Sequence, residues 1–362
     1  MLNGAVRKRK LCFSIVGATI GRMTAPIVGL HVPLVTPFDH DGAVDLDALR
    51  RLAARVLDDG ADGLVALGTT AEAVALRELE RAAVVDCCAA VCAERDLPLT
   101  VGVGAGDTAV AAREVARAGG RDGVSAVMAV VPPYTRPSQA GIAAHFRALA
   151  DASSLPLLVY DNPPRTGVRL TSETLLRLAA AEPRIAGVKL SVPVVDGDVL
   201  ELLAGAPEGF AVLTGEDALI LPMVACGAAG AIAAAAHCAT PRFAALTRAA
   251  QAAGGAGAGA AGAGAGGGAA GAGGGAAAGP GGGAAAGAGA ALAEARAHHA
   301  ALLPLVRALF AEPNPTVVKG VLARTGELPS AVVRLPHVPA STVAVDAAIE
   351  ALAALEPPPV GG

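Results

Sequence analysis

Ile185-Ala186-Gly187-Val188-Lys189-Leu190 is a short apolar run that closes on a lysine. The chain has only four lysines in 362 residues: Lys8, Lys10, Lys189 and Lys319. Lysine is ordinarily among the commonest residues, and arginine carries most of the positive charge here. A run of this length and composition reads as a buried strand, so Lys189 stands at a strand end. The two tyrosines, Tyr134 and Tyr160, also close short apolar runs. Three scarce reactive side chains at three strand ends point to one site.

Working outward from this run, strands are expected at 27–35, 63–67, 99–103, 124–131, 157–160, 185–190, 210–213 and 229–233. Amphipathic helical stretches lie between them, among them 45–58, 76–94, 107–118, 137–152 and 171–181. Thr171-Ser172 and Asp107-Thr108 supply N-caps. Eight strand–helix units fit a (β/α)8 TIM barrel spanning 25–240. A doubly wound sheet would need a phosphate-binding glycine loop after its first strand, and Val35-Thr36-Pro37-Phe38 is not one. Gly102-Val103-Gly104-Ala105-Gly106 lacks the spaced third glycine and the ribose-binding acid of a dinucleotide site.

Additional C-terminal helices, at 241–250, 291–310 and 315–325, are expected outside the barrel in a region spanning 241–345, with a helix end and tail at 346–362. Residues 252–291 are alanine and glycine except for Pro280. With no large side chain to bury, the tract reads as a flexible low-complexity insertion. The first 24 residues hold Arg7-Lys8-Arg9-Lys10 and an interrupted apolar stretch. They read as a disordered tail or a mis-chosen start rather than an export signal.

A net charge of −4 and the absence of tryptophan give no footprint for nucleic acid. No run is apolar and long enough to read as a membrane span. The six cysteines form no Cys-x-x-Cys pair and have no histidine at zinc-ligand spacing. They read as small buried hydrophobes in a reducing, cytoplasmic compartment. No metal or nucleotide cofactor is expected, and a small polar metabolite is the expected ligand.

In such barrels chemistry sits at the C-terminal strand ends. Thr36, Thr69-Thr70, Tyr134, Tyr160, Lys189 and Thr214-Gly215 fall there. A lysine, two phenols and a threonine pair suit imine chemistry: a neutral amine attacks a ketone, and desolvation lowers the pKa of an amine. Hydroxyls can relay the protons, and backbone amides and threonines can hold a carboxylate beside the carbonyl. Taken singly, a strand-end lysine is most often solvated or salt-bridged; the ordered set is what carries the reading.

Gly68-Thr69-Thr70-Ala71-Glu72, Pro132-Pro133-Tyr134-Thr135-Arg136-Pro137, Tyr160-Asp161-Asn162-Pro163-Pro164-Arg165-Thr166-Gly167 and Gly187-Val188-Lys189 resemble the dihydrodipicolinate synthase / N-acetylneuraminate lyase family. Thr214-Gly215-Glu216-Asp217, Gly230-Ala231-Ile232, Asn314-Pro315 with Lys319, and Arg334-Leu335-Pro336 continue the likeness from about Ile27 to Pro339. The resemblance implies that Lys189 forms an imine with pyruvate and that Tyr160 is its acid/base, linked through Thr69 to Tyr134. It implies that Tyr134 reaches into a neighbouring subunit's site, in a dimer or tetramer. Thr70, Arg165, Ile232 and Gly215 are expected to bind substrate, with Arg165 on the carboxylate of aspartate 4-semialdehyde.

The implied activity is 4-hydroxy-tetrahydrodipicolinate synthesis in lysine biosynthesis. The alternatives are a pyruvate-releasing aldolase or dehydratase acting on a sugar acid or other 2-oxo acid, and a non-catalytic metabolite-binding barrel. Three positions depart from the family's pattern. Ala71 replaces a glycine and is expected to crowd the carboxylate site, Asp161 adds charge beside Tyr160, and Leu190 replaces an acid. Gly106, Val110, Glu78, Arg81 and Pro133 stand where regulated members carry their lysine-effector pocket, so insensitivity to lysine is expected.

Overall fold

The computed structural model describes residues 27–254 and 281–355. The expected tail over 1–24 and the chain beyond 355 lie outside the described residues, as does 255–280 of the Ala/Gly tract.

The chain alternates β1 (Gly29–Pro33), α1 (Leu46–Asp58), β2 (Gly63–Ala66), α2 (Glu78–Ala93), β3 (Leu99–Val103), α3 (Thr108–Gly119), β4 (Ala126–Val130), α4 (Gln139–Ala152) and β5 (Leu157–Asp161). A single turn α5 (Pro163–Thr166) precedes α6 (Ser172–Ala181), β6 (Ile185–Leu190), α7 (Gly197–Gly205), β7 (Ala211–Thr214), α8 (Ile220–Ala225), β8 (Gly230–Ile232) and α9 (Ala236–Gly254). The strands pair in parallel and in chain order, and β8 returns to β1 to close the barrel. The fold is the expected (β/α)8 barrel with C-terminal helices.

The helices start where side chains satisfy their free N–H groups. Asp45, Asp107, Ser138, Thr171 and Asp196 each accept from the N–H three residues on. Alternation along the strands then sorts the core into two parts. Leu157, Val159, Val188 and Leu190 face outward, under the helices. Val65, Met128, Leu158 and Leu213 fill the barrel's interior with Tyr160 and Ile232.

Two expectations about the C-terminal part change. The helix expected from 241 belongs to α9, which starts at Ala236 and kinks at Ala239, two residues before Pro241. It completes the barrel: its His237 accepts the Val35 N–H at 3.2 Å, and Arg55 of α1 donates to the His237 carbonyl at 2.7 Å. The Ala/Gly tract is also entered by helix from both sides, by α9 to Gly254 and by α10 (Gly281–Leu309). Alanine has the highest helix propensity, and adding residues to an existing helix is far easier than nucleating one. The buried Ala295, Leu302 and Leu305 anchor α10, so helix extends back from them into the tract.

After α10 the chain forms α11 (Thr316–Arg324) and α12 (Thr342–Ala353). These helices are not merely outside the barrel. Buried Lys319 of α11 pairs with buried Glu72 at 2.9 Å, and the Arg334 N–H donates to the other oxygen of Glu72 at 2.8 Å. Those bonds draw the segment 310–314 to the mouth of the barrel.

Cys88 and Cys92 are buried, Cys87 and Cys238 half-buried, and all the described cysteines are free. Cys226 is exposed, contrary to expectation, because it ends α8 at a surface turn. Among the described residues no helix is long and apolar enough to cross a membrane.

Candidate active site

The C-terminal strand ends open onto a pocket of about 410 Å³. Tyr160 and Lys189 are direct register partners on β5 and β6. Both side chains point inward and both are buried. The Lys189 Nζ lies 4.4 Å from the centroid of the Tyr160 ring.

After β2 the chain makes a 3-10 turn over Thr69–Ala71, bracketed by Leu67 and Glu72 in left-handed conformations (φ 55° and 53°). Non-glycine residues hold such angles only where the surroundings over-determine them. The Thr36 hydroxyl donates to the Ala71 carbonyl at 2.7 Å, and Asn314 Nδ2 donates to Thr70 Oγ1 at 2.9 Å. The turn therefore presents Thr69 and Thr70 to the pocket.

Burial opposes ionisation of the Tyr160 phenol, but the Lys189 charge and hydrogen bonds with Thr69, Asn162 and Ser191 outweigh it. Together they bring the phenol down to about 8. Asn162 Nδ2 donates to that oxygen at 2.8 Å. A phenol poised this near neutrality, in contact with a lysine and a threonine, can both give and take a proton.

The pocket brings together Lys189, Tyr160, Thr69, Thr70, Arg165, Ile232 and Gly215 from the expected set. Tyr134 is not with them. It is 95% exposed on the loop after β4, with φ of 71°. Sequence reasoning missed Ser191, Glu216 as a pocket residue, and Asn314 as the partner of Thr70. Asn162 sat within a quoted motif without a role.

Two expected perturbations do not arise. Ala71 is buried but does not line the pocket, because its carbonyl and amide are spent within the turn. Asp161 follows Tyr160 on β5 and so faces outward; its carboxylate accepts from the Leu170 N–H at 3.4 Å. Burial pushes that carboxyl up to about 7.

Gly215 is required by close approach. A Cβ there would lie 2.2 Å from Ser191 Oγ and 2.7 Å from Lys189 Cε. Gly215→Ala is expected to displace the lysine and to lower kcat/KM roughly a hundredfold, the scale of a misplacement near 1 Å. Circular dichroism should be unchanged, and wild-type turnover in the folded variant would contradict this.

Residues 26–261 match the Dihydrodipicolinate synthetase family. The chain belongs to that family. It is 34% identical over 311 residues to the 4-hydroxy-tetrahydrodipicolinate synthase of Neisseria meningitidis serogroup B, covering 86% of this chain and 92% of that protein. Among solved structures, the 4-hydroxy-tetrahydrodipicolinate synthase of Methylacidiphilum fumariolicum SolV superposes with a TM-score of 0.76 at 31% identity. That match covers 91% of this chain and 95% of the other. The chloride-inhibited dihydrodipicolinate synthase of Acinetobacter baumannii, complexed with pyruvate, superposes with a TM-score of 0.76 at 28% identity, covering 91% and 98%.

Proposed function

We propose that this family member is a 4-hydroxy-tetrahydrodipicolinate synthase, condensing pyruvate with aspartate 4-semialdehyde through an imine on Lys189. The observation that carries the reading is the buried Lys189 Nζ, 4.4 Å from the ring of a phenol lowered to about 8. In this scheme the neutral amine attacks the pyruvate ketone carbon. Tyr160 returns a proton to the departing hydroxyl, which leaves as water and gives the imine. Loss of a methyl proton then gives an enamine, whose carbon attacks the aldehyde. Thr70 donates to the pyruvate carboxylate: its oxygen already accepts from Asn314, so its own proton is free to point into the pocket. Arg165 takes the carboxylate of the aldehyde. The chemistry rests on the lysine imine, without a resident metal or nucleotide, and the enzyme is cytoplasmic. The test is pyruvate consumption with a panel of aldehydes. Preference for aspartate 4-semialdehyde is expected, and preference for a sugar-derived aldehyde would contradict the substrate.

Tyr134 acts in a second subunit's site, so the working unit is at least a dimer. Its near-complete exposure and its absence from its own pocket support this. Tyr134→Phe alone is expected to lose about 10²–10⁴-fold in rate, the range for a proton-transfer group. Mixing Tyr134→Phe with Lys189→Ala protomers should restore measurable activity, because one site in the hybrid is complete. Verified hybrids that stay inactive would reduce Tyr134 to a surface residue.

The enzyme is insensitive to lysine. Arg81 pairs with Glu114 at 3.3 Å and Glu78 with Arg117 at 2.6 Å, so the nearby acids that could hold an ammonium are already engaged. Initial rates at subsaturating pyruvate should be unchanged by millimolar lysine. Clear inhibition would contradict this.

A further inference from the structure

The pocket holds an unspent pair of opposite charges. Three acids line it: Glu216, Asp217 and Glu312. Asp217 is buried and its carboxylate accepts from the Ala235 N–H at 2.6 Å. Glu312 is engaged by Ser341 at the start of α12, accepting from its hydroxyl at 2.5 Å and its N–H at 3.2 Å. The Glu216 carboxylate has no hydrogen-bond or ion-pair partner among the described residues. Arg165 also lines the pocket, and its guanidinium is likewise without a partner among the described residues.

Glu216 is fixed from its backbone. Its N–H donates to Thr214 Oγ1 at 3.1 Å, and the same hydroxyl donates back to the Glu216 carbonyl at 3.3 Å. The acid is thus carried on the turn after β7, one residue past Gly215 and the reacting amine. It is half-buried; burial raises its carboxyl while Lys189 and Arg165 pull it down, so it feels both cations across the pocket. A desolvated charge held without a partner is costly. A guanidinium and a carboxylate left unpaired in one cavity form a complement to a zwitterion.

We propose that Glu216 is a specificity residue that receives the α-ammonium group of the second substrate while Arg165 receives its carboxylate, so that the pocket selects an aldehyde bearing an amino acid group. This rests on the function proposed above and adds the group that distinguishes an amino acid aldehyde from its desamino counterpart.

The test compares aspartate 4-semialdehyde with succinic semialdehyde, which lacks the ammonium, in wild type and in Glu216→Gln. Glutamine keeps the shape and removes the charge. For Glu216→Gln the KM for aspartate 4-semialdehyde is expected to rise roughly ten- to a hundredfold, the equivalent of one lost charge-assisted hydrogen bond. The inhibition constant of succinic semialdehyde should stay within about twofold, and borohydride should still trap pyruvate on Lys189. An unchanged KM, or equal weakening with both aldehydes, would overturn the assignment. If the wild type forms the pyruvate adduct but does not turn over aspartate 4-semialdehyde, the proposed function fails and this inference falls with it. That outcome is visible without the variant.

Discussion

Lys319→Ala is expected to cost about 3–5 kcal/mol of stability, the loss typical when one partner of a buried ion pair is removed. The Lys319 side chain is fully buried, with Nζ 2.9 Å from Glu72 Oε1 and 4.0 Å from the centroid of the Phe38 ring. Burial pushes its ammonium down to about 8, against the pull of Glu72, which holds it up. Truncation strands the Glu72 carboxylate in the interior with the Arg334 N–H as its remaining donor. Against a total stability of about 5–15 kcal/mol the loss is large. It should appear as a lower urea midpoint at unchanged slope. Combining Lys319→Met with Glu72→Gln should cost less than the sum of the single changes, since neither charge is then left alone. A loss below about 1 kcal/mol for Lys319→Ala would mean that water reaches the pair. Activity should fall as well, because the same clamp carries Asn314 to Thr70.

Lys189→Ala is expected to lower turnover by about 10⁴-fold or more, the scale seen when an enzyme loses its nucleophile. Lys189→Arg should be equally inactive. A guanidinium retains the charge over the Tyr160 ring but cannot deprotonate to attack a ketone. The pair of variants separates an electrostatic role for Lys189 from a nucleophilic one. An arginine variant with substantial activity would show that the charge alone suffices. Both variants should keep the wild-type thermal midpoint within a few degrees, since the barrel interior beneath Lys189 is formed by Met128, Leu158 and Leu213.

The barrel was legible because its signals are local. Each strand is a short run bounded by turn residues, and Asp107 and Thr171 announce their helices through side chains that cap three residues on. Lys189 and Tyr160 were legible for the same reason, as scarce reactive residues closing such runs. Asn314 was not, because its link to Thr70 spans 244 positions of sequence and depends on the Lys319–Glu72 clamp. Nor was Glu216: an acid in a turn looks solvated until the turn is seen folded over a pocket. Asp161 was misjudged although the cue was present, since side chains alternate along a strand and its neighbour Tyr160 points inward. The helical part of the Ala/Gly tract depends on an anchor further along α10, at Ala295 and Leu302, which composition within the tract does not reveal.

The most direct test of the central claim is to incubate the protein with pyruvate, reduce it with borohydride, and locate the added mass by peptide mapping. The chain offers four lysines, Lys8, Lys10, Lys189 and Lys319, so the assignment is unambiguous. The imine account predicts one reduced pyruvate adduct, on Lys189, and none in Lys189→Ala. An adduct on Lys319, the other buried lysine, or an active protein that yields no adduct, would contradict it.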